Sequence, residues 1–131
     1  MIYGALLPSG NDAAYALGEA VSGNMKDFVK LMNKTAVNIG CENTQFKNPN
    51  GMKQKGHYTS AYDMMLITKT ALSNDVIRKA AGSTSYTVKK TNKSKERNLK
   101  THLSFLKDKD SGVYGGKTGY WDANNCSIAL G

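Results

Sequence analysis

Apolar positions recur at three- and four-residue spacing through the first two thirds of the chain, then give way to short β-rich runs. A short apolar run, Met1 to Leu7, is broken by Pro8-Ser9-Gly10. Ala13, Ala14, Leu17, Ala20 and Val21 then predict a helix, with Asn11 or Asp12 as its cap and Ser22-Gly23 as its end. Asn24 caps the next helix, where Phe28, Leu31, Met32, Thr35 and Ile39 share a face and Gly40 stands just past the end. The two helices read as an antiparallel pair with a tight connection. Thr44-Gln45-Phe46 is briefly extended, and Asn48-Pro49-Asn50-Gly51 is a turn by composition. Thr59 or Ser60 caps a third helix, with Asp63 in a variant of the capping box and Met64, Ile67, Ala71 and Leu72 as its buried stripe. Asn74 starts a short helix that runs through Ala80-Ala81 and closes at Gly82.

Beyond Gly82 the pattern changes. Thr84 to Val88 alternates and predicts a strand, followed by a basic loop from Lys89 to Lys100. His102 to Leu106 carries apolar residues, and Asp108 to Gly112 forms a polar turn. Val113 to Trp121 predicts a second strand, Asp122 to Asn125 a hairpin connection, and Cys126 to Leu130 a return strand. The class expected is therefore α/β (α+β), mainly helical over about 1–82 and mainly strand over about 83–131. An apolar strand that stops at the last residue, and a first helix cap only a few residues from the start, read as an internal fragment of one domain.

Composition adds few constraints. A chain of 131 residues is one domain's worth, and 40% hydrophobic content suffices for one core. Mean hydropathy is −0.48, and no apolar run approaches the ~18 residues of a membrane span. The formal charge of +8 raises the question of nucleic acid. Much of it comes from Lys89, Lys90, Lys93, Lys95, Arg97 and Lys100, a segment with no aromatic residue to stack on a base. A solvated loop fits better, leaving a general attraction to anionic polymers. Cys41 and Cys126 match no metal spacing, and the apolar run around Cys126 favours two buried thiols over a bridge.

Candidate chemistry lies at the two ends of the chain. In Gly115-Gly116-Lys117-Thr118-Gly119-Tyr120-Trp121, Lys117 supplies a charge, Thr118 a hydrogen bond and Gly119 a bare backbone position, which together suit an anchored carboxylate. Ser9-Gly10-Asn11 presents a hydroxyl able to relay a proton and an amide able to hold a peptide carbonyl. Its repeat at Ser22-Gly23-Asn24 fits an ordinary helix connection. Leu6 to Ala14 and Gly116 to Gly119, in that order, resemble the penicillin-binding proteins, and more closely the serine-type D-Ala-D-Ala carboxypeptidases of low molecular mass, peptidase family S11. Phe46-Lys47-Asn48-Pro49-Asn50-Gly51-Met52 resembles that family's Phe-x-Asn-Pro-x-Gly-Leu, with Met for Leu. His57-Tyr58-Thr59-Ser60-Ala61-Tyr62-Asp63 resembles its His-Tyr-Ser-Thr-Ala-x-Asp.

That resemblance implies part of a β-lactamase/transpeptidase-like domain, with helices beside an antiparallel sheet. It implies acyl transfer on a peptidoglycan stem peptide ending in D-Ala-D-Ala, outside the cytoplasm in the cell envelope, without metal or cofactor and with acylation by β-lactams. By residue, Ser9 shuttles a proton to the leaving amine, and Asn11 holds the amide carbonyl. Lys117 and Thr118 bind the terminal carboxylate, and the backbone N–H of Tyr120, after Gly119, forms half of an oxyanion hole. His57 and Tyr58 read as loop organisers, while Trp121 either lines the cleft mouth or covers the sheet.

One departure is serious. The family's nucleophile stands in Ser-x-x-Lys upstream of Ser-x-Asn. The single Ser-x-x-Lys here, Ser104-Phe105-Leu106-Lys107, comes in the wrong order, and about one match is expected by chance. The expectation is a partial site, inactive alone. Two alternatives stand beside it. A serine β-lactamase-like hydrolase shares Lys-Thr-Gly, but the loop after Glu42 does not continue as its deacylating loop would. A non-catalytic module binding muropeptide or an anionic polymer would use the basic loop.

Overall fold

A computed structural model describes residues 1–120 and 126–131, with Lys109 and Cys126 described in their backbone alone. The predicted connection at Asp122–Asn125, and Trp121, lie outside the described residues. Five helices come first: α1 (Ile2–Leu6), α2 (Asn11–Ser22), α3 (Met25–Asn38), α4 (Ala61–Leu72) and α5 (Asp75–Ala81). Two antiparallel hairpins follow. The first pairs β1 (Ser85–Val88) with β2 (Arg97–Lys100), the second β3 (Gly116–Tyr120) with β4 (Cys126–Leu130). Two 3₁₀ turns, Ser104–Lys107 and Lys109–Ser111, lie between them.

The opening apolar run is itself a short helix, α1, which the sequence pattern did not specify. The cap of α2 is Gly10, in extended conformation, rather than Asn11 or Asp12. The Gly10 carbonyl already accepts from the Ala14 N–H (3.1 Å), while Asp12 turns its carboxylate to the Ala13 N–H (2.8 Å) within the first turn. Asn24 caps α3 as expected, accepting from the Asp27 N–H at 2.9 Å. Helices α2 and α3 fold back on each other through Gly18, where a Cβ would stand 2.5 Å from Met25 Cε and 2.6 Å from the Phe28 ring. The inward face of α3 is rotated from the one expected: Met25, Phe28, Val29, Met32 and Ala36 turn in, while Leu31 and Thr35 are exposed. Val21 of α2 is exposed as well.

Asp63 organises the middle of the chain. Ser60 caps α4 by accepting from the Asp63 N–H (3.1 Å), but the carboxylate does not return the bond to Ser60 as a capping box would. Instead it is 1% exposed and accepts from the Asn43 N–H (2.7 Å), the Glu42 N–H (3.4 Å) and Thr44 Oγ1 (2.6 Å). A buried carboxylate needs such donors, because leaving it unpaired away from water is costly. The Thr44 hydroxyl in particular holds its pKa below the usual carboxylate value, against the opposing effect of burial. Cys41 is a buried free thiol, as expected, with Sγ 3.7 Å from the Asp63 carbonyl.

The basic segment is more ordered than a solvated loop, since Arg97–Lys100 pairs with Ser85–Val88 as β2. Tyr86 of β1 stacks on Tyr3 of α1, ring centres 3.9 Å apart and nearly parallel, tying the hairpin to the helices. Hairpin β3–β4 docks through small residues, Gly115 lying against Leu72 and Ala81, and Gly82 against the Tyr114 carbonyl. The buried apolar residues include Leu7, Ala36, Leu72, Ala80, Ala81 and Leu103, drawn from the helices and from the segment before the 3₁₀ turns. Among the described residues, no helix is long and apolar enough to cross a membrane.

Asp63 yields a prediction with a definite sign. Its pKa is depressed in the folded state, so its contribution is present above the unfolded value near 4 and is lost as pH falls through the folded value. Thermal unfolding of Asp63→Asn should show a lower Tm at neutral pH and a shallower loss of stability below about pH 4 than the parent chain. Parallel acid profiles would refute the assignment.

Candidate active site

Ser9 and Lys117 are 108 positions apart in sequence and in direct contact in space. Lys117 Nζ donates to Ser9 Oγ at 2.8 Å and to the Thr118 carbonyl. Ser9 has φ +56°, making it the one non-glycine residue with positive φ among those described. A left-handed conformation at such a residue costs on the order of 1 kcal/mol and persists only where neighbours hold it. Here Pro8 precedes it, and the Gly10 N–H is bonded to the Gly4 carbonyl at 2.9 Å. A Cβ on Gly10 would stand 2.9 Å from that same carbonyl oxygen, so only glycine fits. The turn between α1 and α2 thereby sets the Ser9 hydroxyl, which is solvent-exposed, against the end of the lysine. Asn11 follows as the first residue of α2, and among the described residues its side chain makes no hydrogen bond.

The register of the second hairpin determines what β3 presents. Gly115 and Gly131 exchange both backbone bonds (3.3 and 2.9 Å), and Lys117 opposes Ala129, Thr118 opposes Ile128 and Gly119 opposes Ser127. Antiparallel pairs alternate between bonded and non-bonded, so Lys117 and Gly119 turn their backbone groups toward β4. Thr118 and Tyr120 turn their N–H and C=O groups away from it, to an edge unpaired among the described residues. The bond from Lys117 to the Thr118 carbonyl places the ammonium, and with it Ser9, at that edge. Thr118, Gly119 and Tyr120 also line an open groove of about 540 Å³ with His102, Ser127 and Ile128.

The structure thus brings Ser9 and Lys117 into contact, with Thr118, Gly119 and Tyr120 following along the strand, while Asn11 stands two residues after Ser9 as the first residue of α2. His102 and Ser127 were not singled out as site residues by the sequence. Ser127 was readable only through the strand register, since a Cβ on Gly119 would collide with its Oγ. His57 organises its loop, as expected: Nδ1 accepts from the Lys47 N–H (3.3 Å) and the ring meets Phe46 edge-on. Ser104 sits on a 3₁₀ turn, exposed, without a hydrogen bond to Lys107 among the described residues.

The mixed helical and antiparallel-strand architecture that carries this contact is the fold of the DD-peptidases. The chain belongs to the D-alanyl-D-alanine carboxypeptidase family, peptidase S11, whose sequence profile it matches over residues 1–130. It is 47% identical over 83 residues to D-alanyl-D-alanine carboxypeptidase DacF of Bacillus subtilis, covering 63% of this chain and 21% of that protein. It is 32% identical over 128 residues to a Streptomyces D-alanyl-D-alanine carboxypeptidase, covering 91% of this chain and 44% of that one. Among solved structures it is similar to the Streptomyces DD-transpeptidase (TM-score 0.81, 32% identity, 91% of this chain and 49% of that chain). Penicillin binding protein 5 of Haemophilus influenzae is also similar (TM-score 0.78, 30% identity, 96% and 39%). The chain spans about half the length of these relatives or less.

Burial lowers the Lys117 pKa from the ordinary lysine value. The folded state therefore binds fewer protons than the unfolded one in the window just below that value, and stability rises with pH across it. In a ¹³Cε titration, Lys117 should show a lower midpoint than the exposed lysines. Coincident midpoints would contradict the burial of its amine.

Proposed function

We propose that this chain forms the proton-relay and carboxylate-binding wall of a serine D-Ala-D-Ala carboxypeptidase that trims peptidoglycan stem peptides in the cell envelope. The observation that carries the reading is the 2.8 Å bond from Lys117 Nζ to Ser9 Oγ, at the edge of β3 that is unpaired among the described residues. An ammonium donating to the hydroxyl oxygen leaves the hydroxyl proton free for transfer and makes the oxygen a weaker base. An extended peptide can lie along the free edge as an added strand. Its terminal carboxylate then meets Lys117 and Thr118, and the Asn11 amide takes a backbone carbonyl. The outward-turned N–H of Tyr120 supplies one of the two donors that a tetrahedral oxyanion requires. Gly119 keeps the strand free of a side chain between them.

The chemistry is acyl transfer. A serine oxygen attacks the penultimate D-Ala carbonyl and the C–N bond breaks. The departing D-Ala amine takes its proton through Ser9, and water releases the acyl group. β-Lactams acylate the same serine. Ser104 is not assigned that role, because it lacks the chain order and, among the described residues, a hydrogen bond to Lys107. The second reading, an anionic-polymer module, draws on the basic β1–β2 hairpin.

Labelling with a fluorescent penicillin tests the reading, on this chain alone and on the same chain joined to the flanking segments of a family member. The joined chain should form a covalent adduct and the chain alone none. Ser9→Ala or Lys117→Ala should slow acylation about 10²-fold or more, the range for removing a positioned proton donor or a charged anchor. An adduct at Ser104 would place the nucleophile inside the chain. Two folded but unlabelled proteins would favour the binding module.

A further inference from the structure

The β1–β2 hairpin concentrates the charge of the chain. Residues 89–100 carry Lys89, Lys90, Lys93, Lys95, Arg97 and Lys100 against the single carboxylate of Glu96, so five of the chain's eight net positive charges lie there. All six cations are exposed. Among the described residues, no carboxylate lies within ion-pair distance of any of them. Hydrogen bonds order the backbone that carries them. At the base of the hairpin the Thr101 N–H donates to the Thr84 carbonyl (3.0 Å). At its tip the Thr91 N–H donates to the Ser94 carbonyl (2.9 Å), and Thr91 Oγ1 accepts from the N–H groups of Lys93 (3.2 Å) and Ser94 (3.0 Å). Strand alternation puts Tyr86, Val88, Arg97 and Leu99 on one face, where Tyr86 stacks on Tyr3 of α1. Ser85, Thr87, Asn98 and Lys100 share the other face, and all four are exposed.

Like charges gathered on one short hairpin repel one another. A polyanion laid across them relieves that repulsion and releases its own counterions, which favours binding at low salt. The residue types narrow the partner further. Five of the six cations are lysines, whose compact ammonium meets a phosphate from any direction, without the rigid fork by which arginine imposes a register. Residues 89–97 hold no aromatic side chain to stack on a base and no apolar one to enter a lipid headgroup layer. We propose that the β1–β2 hairpin docks this domain on a flexible linear polymer bearing repeated phosphate groups. The surface stands beside the carboxypeptidase reading and uses neither Ser9 nor Lys117. It holds the domain on a phosphate-rich matrix, whatever the catalytic wall binds.

The test is a titration of the chain into fluorescently labelled linear polyphosphate, followed by anisotropy. The parent chain should bind, and raising NaCl from about 50 to about 200 mM should weaken it by about 50- to 100-fold, as expected for four or five phosphates contacted. The variant K89Q/K90Q/K93Q/K95Q, checked by circular dichroism for an unchanged fold, should bind at least about tenfold more weakly at the lower salt. The variant K26Q/K34Q/K53Q/K55Q removes the same charge from exposed positions elsewhere and should stay within about threefold of the parent. Equal losses in the two variants, or no binding by the parent at low salt, overturn the proposal. Lys117→Ala should keep the parent's affinity. A loss there would put the polymer at the catalytic wall and overturn the docking surface while leaving the carboxypeptidase reading standing. Tighter binding to a single-stranded oligonucleotide of matched charge, or to phosphatidylglycerol vesicles, would overturn it in favour of nucleic acid or a membrane.

Discussion

One contact joins the beginning of this chain to its end: the ammonium of Lys117 against the hydroxyl of Ser9. Both partners are delivered by backbone geometry that tolerates little variation. Ser9 is held in the left-handed region by a turn in which Gly10 has no room for a side chain. Lys117 is held by a strand whose preceding glycine, Gly115, packs on Leu72 and Ala81. The helices between them, capped by Asn24, Ser60 and Asn74 and pinned by Asp63, fix the distance over which the two ends meet.

From that contact the electrostatics follow. The lysine is half-buried, and burial lowers its pKa from the ordinary lysine value. Beside it, the alternation of the β3–β4 ladder leaves the backbone groups of Thr118 and Tyr120 facing outward. A cation, a hydroxyl and two outward N–H groups in one row are what a peptide ending in a carboxylate requires.

Much of this was legible in the residues, and the failures have physical reasons. Helix ends marked by Asn24, Ser60, Asn74 and Gly40 stand where their caps put them, because a cap is a local hydrogen bond. The cap of α2 was misplaced: Asn11 and Asp12 are good capping residues, but the tight turn at Gly10 takes the position first. The face of α3 was rotated because Gly18, a residue with no hydrophobic signal, sets the close approach of α2 to Met25 and Phe28, and the residue α3 buries most deeply is the small Ala36. Strand β2 was hidden in a basic segment, since charge argues for solvent while pairing with β1 depends on partners nine to fifteen residues away. The Ser9–Lys117 pairing was suggested only by resemblance, because no local pattern links residues so far apart, and Ser127 needed the strand register.

A double-mutant cycle on Ser9→Ala and Lys117→Met, read as unfolding free energy in denaturant, addresses the contact most directly. If the two side chains are bonded as described, the double variant should differ from the sum of the single ones by about 0.5–1.5 kcal/mol. Additivity within about 0.3 kcal/mol would mean that they do not interact, and the site built on them would lose its foundation.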